Sequence, residues 1–190
     1  MRKHMMVAMV AVVGVTAATA PAQQLADQRV DMRTKVTLNL LDDKGIGAAV
    51  GSVTFNDTPG GVEIEPALFG LPPGKHGFHV HEHANCGPAE KDGKMVPGLA
   101  AGDHLDPKNT RAHRGPEHKD GHLGDLPVLV VEKDGISNAR MLVPHLRVAD
   151  LRGRSLVVHA GGDNYTDTPQ PAGGGGARIA CGVFEIKMAK

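Results

Sequence analysis

The chain has 190 residues, and its 21 lysines and arginines balance its 21 aspartates and glutamates, so the formal net charge is zero. A neutral chain with four Phe, one Tyr and no Trp lacks the basic surface and the aromatic stacking groups on which nucleic-acid binding depends, so we expect no nucleic-acid partner. The 25 glycines and 13 prolines argue against long helices or a coiled coil and favour a turn-rich β protein.

The N-terminus has the features of a secretory signal. A basic start precedes an uncharged run of apolar and small residues at 5–20, and Ala20 and Ala22 are the small residues that a signal peptidase reads. We expect residues 1–22 to be a cleaved signal peptide and residues 23–190 to be the mature domain, exported to the periplasm without stable membrane association. An uncleaved N-terminal anchor is the alternative, although the run is short for a membrane span.

Strand-like segments alternate with turn signals along the rest of the chain. Residues 35–40 alternate apolar and polar side chains, and Asp42-Asp43-Lys44-Gly45 predicts the turn that follows. The eight predicted strands are, in chain order, 35–40, 46–55, 62–64, 77–83, 127–131, 139–143, 155–159 and 180–187. Only residues 145–151 could form a turn or two of helix. This pattern predicts an all-β antiparallel sandwich or barrel.

Two long segments do not have strand character. Residues 84–126 are rich in Gly, Pro, His and charged side chains, and residues 161–176 are rich in glycine. Loops of this length inside a compact domain are usually functional or disordered. Because most candidate ligands lie in or beside these segments, we interpret both as functional loops.

The chain has two cysteines, Cys86 and Cys181. In an oxidising compartment a single pair most simply forms one disulfide, which here would close a long loop. Two free buried thiols are the alternative if the protein is not exported.

Histidines are the most informative residues, since ten of the eleven lie between His76 and His159. On a strand, residues i and i+2 face the same side, so His79 and His81 could share one metal ion. This spacing alone is a weak signal, and His159 at the end of a strand could equally be a hydrogen-bonded core residue. The segment between His81 and His159 carries further donors, namely His104, His113, His118, His122 and Asp125. Imidazoles suit copper and zinc, and a histidine-rich set with one carboxylate suits zinc in particular.

Several short motifs, taken together and in order, resemble the copper,zinc superoxide dismutases. They are GFHVHE at 77–82, GDHLDP at 102–107, HRGP at 113–116, HLGDL at 122–126, VVHA at 157–160 and ARIACGV at 177–183. The stretch AGGDNY at 160–165 and the glycine run at 173–176 are similar to the bacterial, exported branch. The resemblance covers essentially the whole chain after the signal.

The resemblance implies an eight-stranded Greek-key β-sandwich or flattened barrel with two long functional loops. It also implies an antioxidant oxidoreductase that converts superoxide into dioxygen and hydrogen peroxide, with one copper and one zinc per subunit. One-electron chemistry needs a redox metal, which copper is and zinc is not. The sequence is compatible with a monomer or a homodimer.

Site residues follow from the resemblance position by position. The implied copper ligands are His79, His81, His104 and His159, and the implied zinc ligands are His104, His113, His122 and Asp125. His104 would bridge the two ions and supply a proton during turnover. Arg178 would attract and orient superoxide, unless it is simply an exposed strand arginine. Asp163 would hydrogen-bond His79 and His113, unless it caps its own loop.

Some features depart from the resemblance or have no assigned role. Asp103 adds a negative charge beside the implied bridging histidine, and residues 161–177 contain no basic side chain that could steer an anion. Lys91 and Lys94 are candidates for that steering. No role is assigned to His83, and His118 is expected to lie on the surface.

Two other functions compete with the enzyme. A non-catalytic copper- and zinc-binding module of the same fold would keep ligands but show no turnover. A zinc hydrolase would need an open coordination position and a general base, for which Glu82 is the nearby candidate.

Overall fold

The computed structural model describes residues 33–185. The predicted signal peptide at 1–22 and the last residues of the eighth predicted strand lie outside the described part of the chain. Eleven strands are present in the described part: β1 (Arg33–Asp42), β2 (Gly45–Thr58), β3 (Gly61–Leu68), β4 (Gly74–His76), β5 (Phe78–His81), β6 (Ala89–Lys91), β7 (Lys94–Val96), β8 (Leu129–Val131), β9 (Met141–Val143), β10 (Ser155–His159) and β11 (Arg178–Val183). Three short 3-10 helices complete it: Leu99–Ala101, Val148–Leu151 and Ala172–Gly174.

The predicted all-β antiparallel fold is confirmed. Seven strands form one curled sheet in the order β5-β10-β11-β1-β2-β3-β9, and β4 pairs with β8. Strands β4 and β5 are separated only by Gly77, so together they are one interrupted strand. The predicted strand at 77–83 covers β5 but not β4, and the other seven predicted strands match the remaining strands of these two sheets. Reciprocal backbone hydrogen bonds of 3.0 Å between Leu68 and Ser137 link the end of β3 to the turn after β8. Strands β1 and β11 lie side by side although they are far apart in sequence, as in a Greek key.

One expectation about the loops was wrong in part. Residues 84–126 were expected to lack strands, but β6 and β7 form a hairpin inside this segment, in which Ala89 pairs with Val96. The turn contains Asp92 and Gly93, both with positive φ, which is the backbone that an Asp-Gly hairpin turn adopts. The rest of the segment carries no strand, apart from isolated bridges, before β8 begins.

Alternating side chains fill the interior of the curled sheet. In β1 the side chains of Val36 and Leu38 are buried, whereas the flanking Lys35 and Thr37 point outward. Phe55 and Phe184 meet edge to face inside, with ring centroids 5.1 Å apart. Because this core is apolar and closely packed, the sheet holds the polar side chains at its edge in fixed positions.

The disulfide between Cys86 and Cys181 is formed, with a Cα–Cα distance of 5.7 Å and a sequence separation of 95. For a loop of this length the chain-entropy model gives a stabilisation of roughly 4–5 kcal/mol, although the mechanism is model-dependent. The bridge joins the long loop to β11, the strand that begins at Arg178. Within residues 33–185, no helix is long and apolar enough to cross a membrane.

Candidate metal centre

Two adjacent strands supply three of the predicted ligands. His79 and His81 are both buried on β5, and β5 pairs antiparallel with β10, whose last residue is His159. The pairing of β10 with β11 shifts register between Val158 and His159. A β-bulge changes the direction of the side chain that follows it. Here the shift lies directly before His159, whose imidazole lies close to those of His79 and His81.

The long loop is fixed to the free edge of β5 by main-chain hydrogen bonds. Val80 donates its N–H to Gly124 O and accepts one from Leu105 N, each at 2.9 Å. Residue 124 must be glycine for this approach, because a Cβ there would lie 2.2 Å from Val80 O. These bonds place the neighbouring residues of the loop, His104 and Asp125, opposite His81 and His79.

The result is a buried cluster of donor atoms in two overlapping groups. In one group the donor atoms of His79, His81, His104 and His159 lie within 4.8 Å of one another. In the other group the donor atoms of His79, His104, His113 and Asp125 lie within the same distance of one another. His79 and His104 belong to both groups, and of these two His104 is the one whose Nδ1 contacts Asp125 Oδ1. The predicted zinc set has His122 where this second group has His79, but His122 Nδ1 lies 3.3 Å from Asp125 Oδ1 and so borders the same carboxylate.

Hydrogen bonds fix the tautomers on the side of His159. The Nδ1 of His81 contacts Gly102 O at 2.9 Å, and the Nδ1 of His159 contacts Gly176 O at 3.1 Å. A carbonyl oxygen only accepts, so in both rings Nδ1 carries the hydrogen and Nε2 carries a lone pair. The two Nε2 atoms nevertheless lie 3.3 Å apart. Two facing lone pairs at this distance suit a cation bound by both.

His79 presents a lone pair in the same direction. Its Nε2 lies 2.7 Å from Asp163 Oδ2, and as the donor to a carboxylate it carries the hydrogen. Its Nδ1 is buried without a hydrogen-bond partner. A buried, unpaired acceptor costs free energy unless a ligand satisfies it, so this nitrogen is a further observation that fits a metal ion.

Asp125 is the centre of the second group. Its Oδ1 accepts a hydrogen bond of 3.0 Å from His104 Nδ1, and its Oδ2 accepts bonds of 3.2 Å from the backbone N–H groups of Arg114 and Gly115. His113 Nδ1 lies 3.0 Å from Oδ2 without hydrogen-bond geometry. Nitrogen and oxygen donors that converge in this way match the ligand types that zinc prefers.

Asp163 connects the two groups from outside. Its Oδ2 contacts His79 Nε2 and its Oδ1 contacts His113 Nε2, both at 2.7 Å, and the backbone N–H of Tyr165 also donates to Oδ1 at 2.7 Å. A carboxylate in this position sets the orientation and the tautomer of both rings. Asp163 therefore does more than cap the backbone of its own loop, because it also contacts His79 and His113.

The pKa values of the clustered histidines do not all shift in the same direction. Burial, reinforced by the charge of His104, holds the pKa values of His79 and His81 well below the usual histidine value. Burial also lowers the pKa of His159, to about 4. Burial opposes protonation of His113, but Asp125 and Asp163 outweigh it and raise the pKa of His113 to about 9. In the metal-free protein the first group is thus neutral imidazole, the form that binds a metal.

Arg178 is held rigidly beside the first group. Its Nη1 donates to Gly98 O and its Nη2 to Gly102 O, both at 2.6 Å. Gly102 O also accepts the hydrogen bond from His81 Nδ1, so one carbonyl orients both side chains. Burial lowers the pKa of the guanidinium, but an arginine side chain remains a cation.

The remaining histidines of the described chain lie outside the cluster. His76 is buried and contacts His159 O and Pro72 O, both at 2.8 Å, which is a structural role. The exposed His83 pairs with Glu82 at 3.1 Å, and His118 lies 3.9 Å from Asp120. His118 is therefore a surface residue, as predicted.

Sequence reasoning missed two side chains that support the cluster. Asp167 Oδ2 accepts a hydrogen bond of 2.9 Å from the backbone N–H of His113, and Tyr165 Oη accepts one of 2.9 Å from Val128 N. Both lie in the second long loop, and they tie it to the first loop and to the start of β8. The motif AGGDNY gave the signal that this stretch matters, but not which partners it has.

Comparison with known proteins agrees with this geometry. The family model described as copper/zinc superoxide dismutase matches residues 49–184. The chain belongs to the copper/zinc superoxide dismutase family. It is 51% identical over 152 residues to superoxide dismutase [Cu-Zn] 2 of Salmonella typhimurium. This match covers 80% of this chain and 87% of that protein.

Two solved structures are also similar. The Cu/Zn superoxide dismutase from Brucella abortus has a TM-score of 0.78 at 51% identity, and the match covers 80% of this chain and 99% of that one. The solution structure of the monomeric copper, zinc superoxide dismutase from Salmonella enterica has a TM-score of 0.71 at 50% identity, with 80% and 99% covered.

Proposed function

We propose that this protein is a copper- and zinc-dependent superoxide dismutase that converts two superoxide anions and two protons into dioxygen and hydrogen peroxide. The observation that carries the proposal is the position of His104, whose imidazole belongs to both groups of converging donors and whose Nδ1 contacts Asp125 Oδ1 at 3.0 Å. The family match and the identity to named dismutases support the same activity.

Copper would be held by the all-histidine group and zinc by the group around Asp125. In this assignment the copper ligands are His79, His81, His104 and His159, and the zinc ligands are His104, His113, His122 and Asp125. The fit rests on the buried unpaired Nδ1 of His79, the facing Nε2 atoms of His81 and His159, and the convergence of His113 and His122 on Asp125. Bound copper supplies the one-electron redox couple that the reaction needs and that zinc lacks.

His104 is the residue that would move a proton. Its Nδ1 faces Asp125 Oδ1, which leaves Nε2 as the nitrogen on the side of the first group. An imidazole that gains and loses a proton at Nε2 could deliver it to the reduced substrate during turnover. In the metal-free protein, burial lowers the pKa of this ring even though Asp125 opposes the shift.

Arg178 would bind and orient superoxide. Two of its N–H groups are committed to the carbonyls of Gly98 and Gly102, so the guanidinium is fixed and its remaining N–H groups are free for an anion. A fixed positive charge near a reaction centre both raises the local concentration of an anionic substrate and stabilises added negative charge.

The activity is tested by following superoxide decay by stopped-flow absorbance with the copper- and zinc-loaded protein. We expect decay that is first order in superoxide with a rate proportional to the protein concentration. In the zinc-only form we expect the slower spontaneous second-order decay, and the fast decay should return when copper is added. A protein that binds both metals but leaves superoxide decay at its spontaneous rate would instead be the non-catalytic metal-binding module.

Replacing Asp163 by Asn should weaken both metal sites together. Asn has one oxygen and one NH₂ group, so it cannot accept from His79 and His113 at once, and at least one ring loses its fixed orientation. We expect each metal affinity to fall by about 10- to 100-fold, measured by chelator competition. The control is Asp134→Asn, a surface carboxylate in a turn. Unchanged affinity for both metals would contradict the role of Asp163.

Export and assembly are part of the proposal. Residues 1–22 would be removed as a signal peptide, leaving the domain at 23–190 in the periplasm, where the disulfide between Cys86 and Cys181 would be stable. The relative from Salmonella enterica is described as monomeric, which supports a monomer over the homodimer that the sequence also allows. N-terminal sequencing and light scattering of the purified protein test both points.

A further inference from the structure

A cleft of about 470 Å³ borders the proposed zinc site from outside, and we call it the zinc-side cleft. Two proposed zinc ligands, His122 and Asp125, form part of its wall. Its described lining residues include none of the proposed copper ligands and not Arg178. The cleft therefore reaches the zinc group from a side that the substrate, drawn to Arg178, would not use.

Exposure of the ligands points to the same side. The side chain of His122 is 15% exposed, compared with 7% for His104 and 0% for His113 and Asp125. His122 is thus the zinc-group side chain most open to solvent, and it faces the cleft. At ~30 Å³ for each water, a volume of this size holds a divalent cation together with its hydration shell.

The cleft also contains donor groups that the catalytic assignment does not use. His118 and His145 line it, together with Asp106. His145 Nε2 lies 3.3 Å from Glu117 O, so Nε2 carries the hydrogen and Nδ1 keeps a lone pair. Asp106 contributes its negative charge, since its Oδ2 accepts a hydrogen bond of 2.8 Å from Arg111 N and its Oδ1 is buried away from solvent. Imidazole nitrogen and carboxylate oxygen are both zinc ligand types.

The basic side chains of the cleft are partly committed elsewhere. Lys108 Nζ donates to Lys119 O at 3.3 Å, and Arg147 Nη1 donates to Leu146 O at 2.7 Å. The lining carries three carboxylates, Asp106, Asp125 and Asp150, against three cations, so it is formally neutral, and the two imidazoles that do not serve the catalytic site are what suit it to a passing zinc ion.

We propose that the zinc-side cleft is the route by which zinc reaches and leaves its buried site, with His118 and His145 as transient ligands along it. The inference rests on the proposed zinc assignment, and it adds a path separate from the opening beside Arg178. Transient donors lower the barrier in both directions. Their removal therefore slows uptake and release together and leaves the affinity unchanged.

The test uses the full protein in its copper-free, zinc-loaded form. Zinc release is followed after addition of an excess of a chromophoric chelator, and uptake is followed by mixing the metal-free protein with zinc alone. The variants are the double substitution His118→Ala with His145→Ala, and Lys119→Trp, which places a large ring in the cleft wall. The matched controls are His83→Ala and Lys133→Trp, exposed positions that do not line the cleft.

We expect both cleft variants to take up and release zinc several-fold more slowly, with one zinc per chain at equilibrium, while both controls match the parent. Unchanged rates in both cleft variants, or equal slowing in the controls, would overturn the route. A release rate equal to the rate of global unfolding would overturn it as well, since zinc would then leave only from the unfolded chain. A parent protein that binds no zinc would contradict the proposed ligand set itself, which is a separate outcome.

Discussion

Replacing Asp125 by Ala is expected to abolish zinc binding and to lower the melting temperature by more than any other single substitution at the centre. The carboxylate lies beside three imidazoles, those of His104, His113 and His122, and it accepts two backbone N–H groups of the loop. Its loss removes the proposed charged zinc ligand and leaves the N–H groups of His104, Arg114 and Gly115 without their acceptor. Breaking a buried charged pair by removing one partner costs about 3–5 kcal/mol, and lost metal binding adds to that because it is folding free energy.

Zinc content by mass spectrometry and unfolding by calorimetry measure both effects. The matched control is Asp120→Ala, because Asp120 pairs with Arg114 at the surface, at 3.1 Å with both side chains more than half exposed. A surface pair of this kind contributes at most about 1 kcal/mol. An Asp125→Ala protein with one zinc per chain and an unchanged melting temperature would show that the carboxylate is not a ligand.

Replacing Arg178 by Ala should leave both metals bound but slow turnover by about 10- to 1000-fold and flatten its dependence on salt. The guanidinium is the fixed cation beside the first histidine group, and screening of its charge by salt should make the rate of the parent protein fall as ionic strength rises. Superoxide decay measured over a range of ionic strengths separates the loss of steering from a general loss of activity.

Two further variants sharpen that test. Arg178→Lys keeps the charge but loses the planar fork that reaches Gly98 and Gly102, so it should keep the salt dependence and recover only part of the rate. Arg140→Ala removes an exposed arginine that pairs with Glu63 and Glu65 on the sheet, and it should behave as the parent. A salt dependence in Arg178→Ala as steep as in the parent would place the steering charge elsewhere, with Lys91 and Lys94 as the candidates.

The strands were predictable because each carries a local pattern. The alternation in residues 35–40 and the short apolar runs within β8 and β10 indicate burial directly, since one face of a strand must meet the core. Strand β4 was missed because it is three residues long and follows a proline-rich turn. The hairpin of β6 and β7 was missed because its strands are short and polar, although Asp92-Gly93 was a usable turn signal.

The clustering of the candidate metal-binding side chains was predictable for a different reason. Few residue types bind these metals, so the concentration of histidine in one part of the chain restricts the choice, and the family resemblance orders it. The supporting contacts could not be predicted in this way. The carbonyl of Gly102, which holds both His81 and Arg178, is a group that every residue has, and only the folded chain selects it. The bond from His113 N to Asp167 likewise depends on how two loops meet.

The central claim is that one imidazole, His104, joins a copper site to a zinc site. Anomalous diffraction from crystals of the metal-loaded protein, recorded at the copper and the zinc absorption edges, tests it most directly. We predict two separate peaks per chain, with copper among His79, His81, His104 and His159, zinc among His104, His113, His122 and Asp125, and the ring of His104 between them. A single peak, or two ions with no shared imidazole, would contradict the bridged centre.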